Sequence, residues 1–434
     1  MARVAVVGGG VAGCASAARL AKLGHDVTLV ESLPTLGGAV GVVEQDGFAW
    51  DTGPHDTALP AVLRDLFRKS GRPLDRELDL VHVDPMREHR FADGSRVSLP
   101  SGNRTAQIEA IDEGLGPGLG REWADYVHDQ AEVWDVLRRD YLERPWSPDL
   151  ASKQAHDLLR SRTMLHKAVT RRFKDKRLRT LAWHHCLQGG HDPRNVPAWF
   201  GMLDYLEQNF GTWTFPGGFG QLARLLTRRL GERRVTVLTG VTVKDVVMGP
   251  AGPVALETTT GTIDTDKVVV AVDPRRLPAL RSHVARTMPA IPPLVTHVGL
   301  SEEVPDLPAE VVVHDEFVIT IRTDGRAPDG KAAWTLTGRG KISEGLVMAL
   351  ARQRIDLREI VETELTFTPR EQVEMWSGSP AGVLWQGRAT INDRVTTRTP
   401  LPQVYAAGAH TGGGGWLPFV GLSAAVVAEA IGPA

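Results

Sequence analysis

Residues 4–31 read VAVVGGGVAGCASAARLAKLGHDVTLVE, and the order of residue types in this stretch decides the fold. Val4 to Val7 is an unbroken run of small and β-branched residues, the pattern of a strand covered on both faces. Gly8, Gly10 and Gly13 follow in G-x-G-x-x-G spacing. Gly8 permits a sharp turn, Gly10 lets the backbone approach a pyrophosphate, and Gly13 lets the next helix sit close to the sheet. Ala15, Ala17, Ala18, Leu20, Ala21 and Leu23 continue as a helix of small residues, with Gly24 placed to close it. His25 to Val30 then form a second strand, and Glu31 at its tip lies 18 residues beyond Gly13. An acid there accepts both hydroxyl protons of an adenosine ribose. The glycine motif alone is weak evidence. Together, the preceding strand, the following helix, the second strand and the terminal acid specify a Rossmann-type dinucleotide site.

The rest of the composition bounds what surrounds that site. At 434 residues and 47.2 kDa the chain exceeds what one hydrophobic core usually supports, so two domains are expected. Lys plus Arg number 50 and Asp plus Glu 52, so no global field gathers a polyanion. Cys14 and Cys186 are the only cysteines, which argues against a disulfide framework and fits a reducing, cytoplasmic compartment. The apolar N-terminus is interrupted by glycines, Arg19 and Lys22 well short of the roughly 20 residues a membrane helix needs.

After Glu31 come Ser32 to Ala39 with Gly37-Gly38, then Asp51-Thr52-Gly53-Pro54-His55. A nicotinamide-binding unit would move directly into another strand and helix, whereas this chain adds two glycine-containing turns. The arrangement resembles the FAD-binding region of the amine oxidase and phytoene desaturase superfamily. Three later stretches follow that superfamily's order. Trp213 to Gly220 with the helix Leu222 to Leu230 resembles its central segment, and Val235 to Val243 its following strand pair. Val404 to Trp416 with the helix Gly421 to Ile431 resembles its C-terminal motif. Lys267 to Val272 reads as a buried strand closing the middle block. Gly190 to Ala198 and Ser379 to Gly387 resemble segments of the phytoene desaturase branch, although the substrate region is shorter than in the carotenoid members.

The resemblance implies an α/β fold: a Rossmann-like FAD-binding domain of the glutathione reductase and amine oxidase type, with a discontinuous mixed α+β substrate domain. The expected FAD-binding pieces are 1–74, 210–288 and 381–434, and the substrate pieces 75–209 and 289–380. It also implies the cofactor contacts. Gly8, Gly10, Val11, Ala12 and Gly13 meet the pyrophosphate, as do Gly37, Gly38 and Ala39. Glu31 and Ser32 lie at the ribose and Val241 at the adenine. Gly53, Pro54 and His55 lie near the isoalloxazine, Gly408 and Ala409 along the ribityl chain, and Gly421, Leu422 and Ala425 on the final helix.

On the substrate side, Met86 to Leu99 reads as a hairpin turning at Asp93-Gly94. Trp123, Tyr126, Val127, Val133, Trp134 and Leu137 follow at helical spacing, as core packing or as substrate lining. Strands are expected at Val311 to Val313, Phe317 to Ile321 and Ala332 to Thr337, and a helix around Ile355 to Leu365. Arg171, Arg172, Lys174, Lys176, Arg177 and Arg179 form the one dense basic run, read as a solvated helix face or a dock for an anionic membrane surface. No base-reading module accompanies it, which excludes nucleic acid. His184 and His185 fall in no ligand spacing, so no metal site is expected.

The expected chemistry is dehydrogenation of a hydrophobic, isoprenoid-like small molecule, with hydride passing to flavin N5 and electrons then to oxygen or a quinone. Such a reaction needs little acid–base machinery. His55, Trp385, His410 and Trp416 are the candidates for catalysis or substrate contact. Amine oxidation, a tailoring oxidation, and isomerisation or cyclisation with reduced FAD remain as alternatives. A homodimer and peripheral membrane contact are also left open.

Overall fold

The computed structural model describes residues 1–304, 307–342 and 344–434. Five parallel strands form its central sheet in the spatial order Val404–Ala406, Lys267–Val270, Arg3–Val7, Asp26–Val30 and Thr236–Leu238. Val4 and Val6 point into a helical layer that includes Ala15, Ala18 and Leu20 of the helix Val11–Lys22. Ala5 and Val7 point the other way, against Val246 and Leu256 of a three-stranded antiparallel sheet, Val243–Met248, Pro253–Thr258 and Gly261–Asp264. Cover on both faces is why these strands need no polar alternation. Burying Leu20 and Leu29 completely stabilises this layer by about 2 kcal/mol each.

The helices Gly220–Glu232 and Leu417–Ile431 pack on the first helix and complete the layer. Close approach is possible because the contact residues are small. A side chain at Gly13 would overlap the Gly8 carbonyl oxygen, so its absence lets the first helix sit against the turn after the first strand, and one at Gly421 would stand 2.6 Å from Val62 Cγ1 of the helix Pro60–Ser70.

A second sheet has seven strands in the order Val361–Phe367, Leu294–Leu300, Ala332–Arg339, Val318–Arg322, Glu310–His314, Arg87–Phe91 and Arg96–Leu99. Its pairs are antiparallel except Glu310–His314 with Arg87–Phe91. The helices Leu119–Leu137, Lys176–Gln188 and Met202–Phe210 share a core with one end of this sheet. Trp123, Tyr126, Val127, Trp134 and Leu137 are buried in that core, with Val133 packed against it, so the aromatic stripe is packing. Among the described residues no helix is long and apolar enough to cross a membrane.

Four expectations are corrected. The segment around Ile355 to Leu365 is not a helix: a helix precedes it at Leu346–Arg352, and Val361–Phe367 is a strand. Val361, Thr363, Leu365 and Phe367 alternate with Glu362, Glu364 and Thr366, and that period of two decides. Val235 to Val243 is not a strand pair within one sheet, since Thr236–Leu238 joins the parallel sheet and Val243–Met248 the antiparallel one. The final helix starts at Leu417, with Pro418 in its first turn, so Gly421, Leu422 and Ala425 lie inside it. The basic run is not one helix face. It crosses from the helix Leu165–Arg172 to Lys176–Gln188, with Phe173 buried between them and Asp175 capping the second.

Candidate active site

The first glycine turn is built as a cradle. Gly8 has φ +101°, a conformation that side chains resist, and hands the chain to the helix Val11–Lys22. No side chain caps that helix and no acid stands in its first turn, although Val11 and Ala12 are buried. Its first N–H groups are orphaned by helix geometry, an arrangement that suits an anion. The second glycine turn folds back onto the first: Gly37 N–H donates to Gly9 O at 2.8 Å, and Gly10 pairs with Gly37. A Cβ on Gly10 would stand 3.9 Å from Gly38 Cα, so any larger side chain would fill the space between the turns. Ala39 and Ser32 flank this arrangement.

Glu31 is buried at the strand tip. Its Oε2 accepts from Gly9 N–H at 2.5 Å, and its Oε1 accepts from Leu33 N–H at 2.7 Å and Ser32 Oγ at 3.1 Å. Val241 N–H donates to Glu31 O at 2.9 Å, which places Val241 at the same end. Gly408 N–H donates to Ser423 Oγ at 2.8 Å, and a Cβ at Gly408 would lie 3.1 Å from Ala12 Cβ, so the C-terminal loop closes over the first helix. A glycine cradle, an uncapped helix start and a buried acid fit the pyrophosphate and ribose of FAD. Ala409 continues this loop, and Gly53 and Pro54 lead to His55.

His55 sits between the two halves of one cross-strand pair. Glu310 and Arg322 face each other across the hairpin. Arg322 Nη1 donates to His55 Nδ1 at 2.9 Å and to Gly53 O at 3.0 Å, while His55 Nε2 meets Glu310 Oε2 at 2.9 Å and Asp56 Oδ2 at 3.4 Å. The ring is therefore the Nε2–H tautomer in this arrangement. Arg87 extends the network, donating through Nε to Glu310 at 2.9 Å and through both Nη atoms to Glu207 at 2.6 and 2.7 Å. His185 Nε2 lies 3.2 Å from Glu207 and 3.7 Å from Asp204, and Tyr126 donates to Asp204 at 3.3 Å.

Burial and charge sort these groups. Burial pushes the Asp204 carboxyl up to about 7, with Glu207 adding to the rise and His185 opposing it. Asp56 is likewise raised by burial and by Glu310. Glu207 is buried too, but Arg87 and His185 outweigh that and hold it well below the usual range. Burial works against a charge on His55 and Arg322 opposes it, yet Asp56 and Glu310 raise its proton affinity. A second proton requires Arg322 to leave Nδ1.

His55, Asp56 and Glu310 place three potential ligand atoms within 4.8 Å of one another. Arg87 already pairs with Glu310 and Arg322 occupies His55 Nδ1, so two of the three candidate ligands are engaged and the group reads as a hydrogen-bonded ion-pair lattice rather than a metal centre. Next to it, His89 and His314 share a 2.8 Å contact, and His184 packs edge-on to His89.

The other expected site residues divide between two regions. Trp416 precedes the final helix, and its ring lies 6.1 Å from that of His185, which joins it to the lattice. Trp385 is buried edge-on to Trp199 and beneath Arg394. His410 is buried 3.9 Å from Asp273 and driven down to about 4 by burial, so it is neutral. The sequence missed Asp56, Arg87, Glu207, Glu310, Arg322 and His185. Asp56 is signalled by adjacency to His55; Arg87, Glu310 and Arg322 lie at strand ends, and Glu207 and His185, inside helices, carry no signal.

The family model for flavin-containing amine oxidoreductases matches residues 11–431. The 4,4'-diapophytoene desaturase of Staphylococcus aureus strain COL is 24% identical over 253 residues, 57% of this chain and 50% of that protein. The chain thus spans about half the length of such curated relatives. Among solved structures, a redesigned putrescine oxidase superimposes with a TM-score of 0.71 at 15% identity, covering 99% of this chain and 97% of that one. Cyclohexylamine oxidase from Brevibacterium oxydans IH-35A gives 0.68 at 16% identity, covering 99% and 98%. At these identities the likeness is one of fold.

Proposed function

The chain belongs to the flavin-containing amine oxidoreductase family, and from that membership we propose that it is an FAD-dependent dehydrogenase acting on a compact, mainly apolar small molecule. Family membership classes it as an enzyme of the FAD-dependent oxidoreductase superfamily. FAD held between the turns at Gly8–Gly13 and Gly37–Ala39 would supply the two-electron acceptor for a hydride.

The observation that carries the reading is the lattice around His55. Dehydrogenation releases a proton as well as a hydride, and Asp56 and Asp204 are carboxyl groups whose proton affinity is raised by burial. We assign proton acceptance to Asp56. His55, held at both ring nitrogens, positions it; His55 and then Arg87 keep Glu310 ionised beside it, and Arg87 and then His185 keep Glu207 so. Trp416 and Trp385 would line the apolar part of the pocket, and neutral His410 would offer a hydrogen bond. On this reading, residues distant in sequence would assemble the acid–base group, where the sequence alone suggests little such machinery. We place FAD-binding pieces at 1–74, 210–288 and 381–434, and substrate pieces at 75–209 and 289–380. The short substrate region and the filled, charged lattice favour a compact substrate over a long polyene. Amine oxidation is the second reading, favoured by four carboxylates facing two guanidinium groups in that lattice.

Anaerobic photoreduction of the FAD-loaded protein, followed by mixing with oxygen or with menadione, tests the assignment. Faster reoxidation by menadione is expected. Preference for oxygen would favour the amine oxidase reading, and activity only in the reduced state without electron transfer would overturn both.

A further inference from the structure

Around Trp385 the fold collects positive charge without the carboxylates that would balance it. Arg394 is 6% exposed and lies over the Trp385 ring, 4.2 Å from its centroid. Nη2 donates to Val383 O at 3.0 Å. Nε is buried with no acceptor, and among the described residues Arg394 has no carboxylate partner. Arg339 is a second example, donating Nη1 to Ile291 O at 2.7 Å while its Nε has no acceptor among the described residues. Burial brings both guanidinium groups down to about 10. Burial, then Arg394 and Arg339, drives His191 down to about 3, so this histidine adds no charge. Of the nearby acids, Asp273 is engaged by Arg275 through both carboxylate oxygens and Asp192 by Arg194, while Asp393, next to Arg394 in the chain, makes no ion pair with it among the described residues.

The cation borders open space. Gly414 has φ +82°, and within 4 Å of the point where its Cβ would stand, chain neighbours aside, the one heavy atom among the described residues is Arg394 Nη1. The Tyr141 hydroxyl, also buried without a partner among the described residues, lies against Gly412 in the same glycine loop, and Tyr141 lines a cavity of about 30 Å³ with Thr411 and Gly413. The same loop leads to Trp416 and so to His185, which puts this cation and the His55 lattice at opposite ends of one short segment. An uncompensated buried charge is costly, and an anion in good geometry offsets that cost.

We propose that Arg394 is the anion-recognising residue of the active site, receiving the carboxylate or phosphate of an acidic substrate group in the opening beside Gly414. The planar fork suits either oxyanion, and Trp385 holds its plane by cation–π contact. The substrate class becomes an apolar molecule with an acidic head. This rests on the FAD-dependent reading of the site.

The test titrates FAD-loaded protein with benzoate, inorganic phosphate and the neutral benzyl alcohol, read by perturbation of the flavin absorption band and by thermal unfolding. One anion should bind at least about tenfold more tightly than benzyl alcohol, and which one does so tells carboxylate from phosphate. Arg394→Met should remove about ten- to a hundredfold of that affinity, as expected for a charged hydrogen bond, with Arg394→Lys between. Anions that fail to bind, bind no better than benzyl alcohol, or bind Arg394→Met as tightly would overturn the proposal. Should Arg394→Met not fold, the comparison of charged and neutral probes on the parent protein decides alone. Protein that folds but takes up no FAD would sink the cofactor reading instead, and the unfolding shift with benzoate and phosphate would still decide the role of Arg394.

Discussion

Asp204 is a carboxyl whose surroundings resist its ionisation. Its carboxyl is raised from 3.8 to about 7 by burial, so the native chain holds this proton more tightly than the unfolded chain does. The residue therefore favours the native state below the ordinary carboxylate range, and that advantage is lost as pH climbs from about 4 to about 7. Asp204→Asn, which stays neutral and can still accept from Tyr126, should gain stability relative to the parent across that window, on the order of a few kcal/mol by its upper end. Denaturant unfolding at a series of pH values measures it, and a constant offset across the window would contradict the role given to burial. Individual residues were legible where spacing or a motif fixed them. The distance from Gly13 places Glu31 at the strand tip, where the structure buries it, and the Gly53-Pro54 turn marks out His55. Arg87 and Glu310 were not legible. Arg87, His89 and Phe91 alternate with Glu88 and Arg90, so polarity on both faces gave no sign of which side is buried.

Elements were legible where periodicity was strong and ambiguous where it was short. The strands Arg3–Val7 and Asp26–Val30 and the helix between them appear as expected, because a covered strand and a small-residue helix each carry one clear pattern. The strand Val361–Phe367 was misread, since glutamates on its exposed positions resemble those of a surface helix. One junction ties distant segments together. Asp51, at the end of the strand Phe48–Asp51, accepts from Phe219 N–H at 2.5 Å and Gly220 N–H at 3.4 Å at the start of the helix Gly220–Glu232. It acts as an N-cap supplied from another part of the chain. Asp51→Ala should lower the unfolding free energy by about 1–2 kcal/mol, and Asp51→Asn, which keeps an acceptor, by less. Equal losses in chemical denaturation would mean that the cap contributes nothing.

For the whole molecule, the order of glycine motifs along the chain anticipated a parallel sheet flanked by helices and a separate mixed sheet. The three-stranded sheet on the far face was not anticipated, because its strands are short and half exposed. Nor was the lattice around His55, whose members come from residues 55 to 322 and meet only when the seven-stranded sheet closes on its helices. The central claim is that the gap between the two N-terminal glycine turns holds FAD. Its most direct test is equilibrium uptake of FAD by the folded chain and by Gly10→Leu, with circular dichroism confirming that both are folded. The parent should turn yellow and retain the cofactor through gel filtration while Gly10→Leu does not; a folded parent that stays colourless, or a variant that binds FAD as well, would contradict the account.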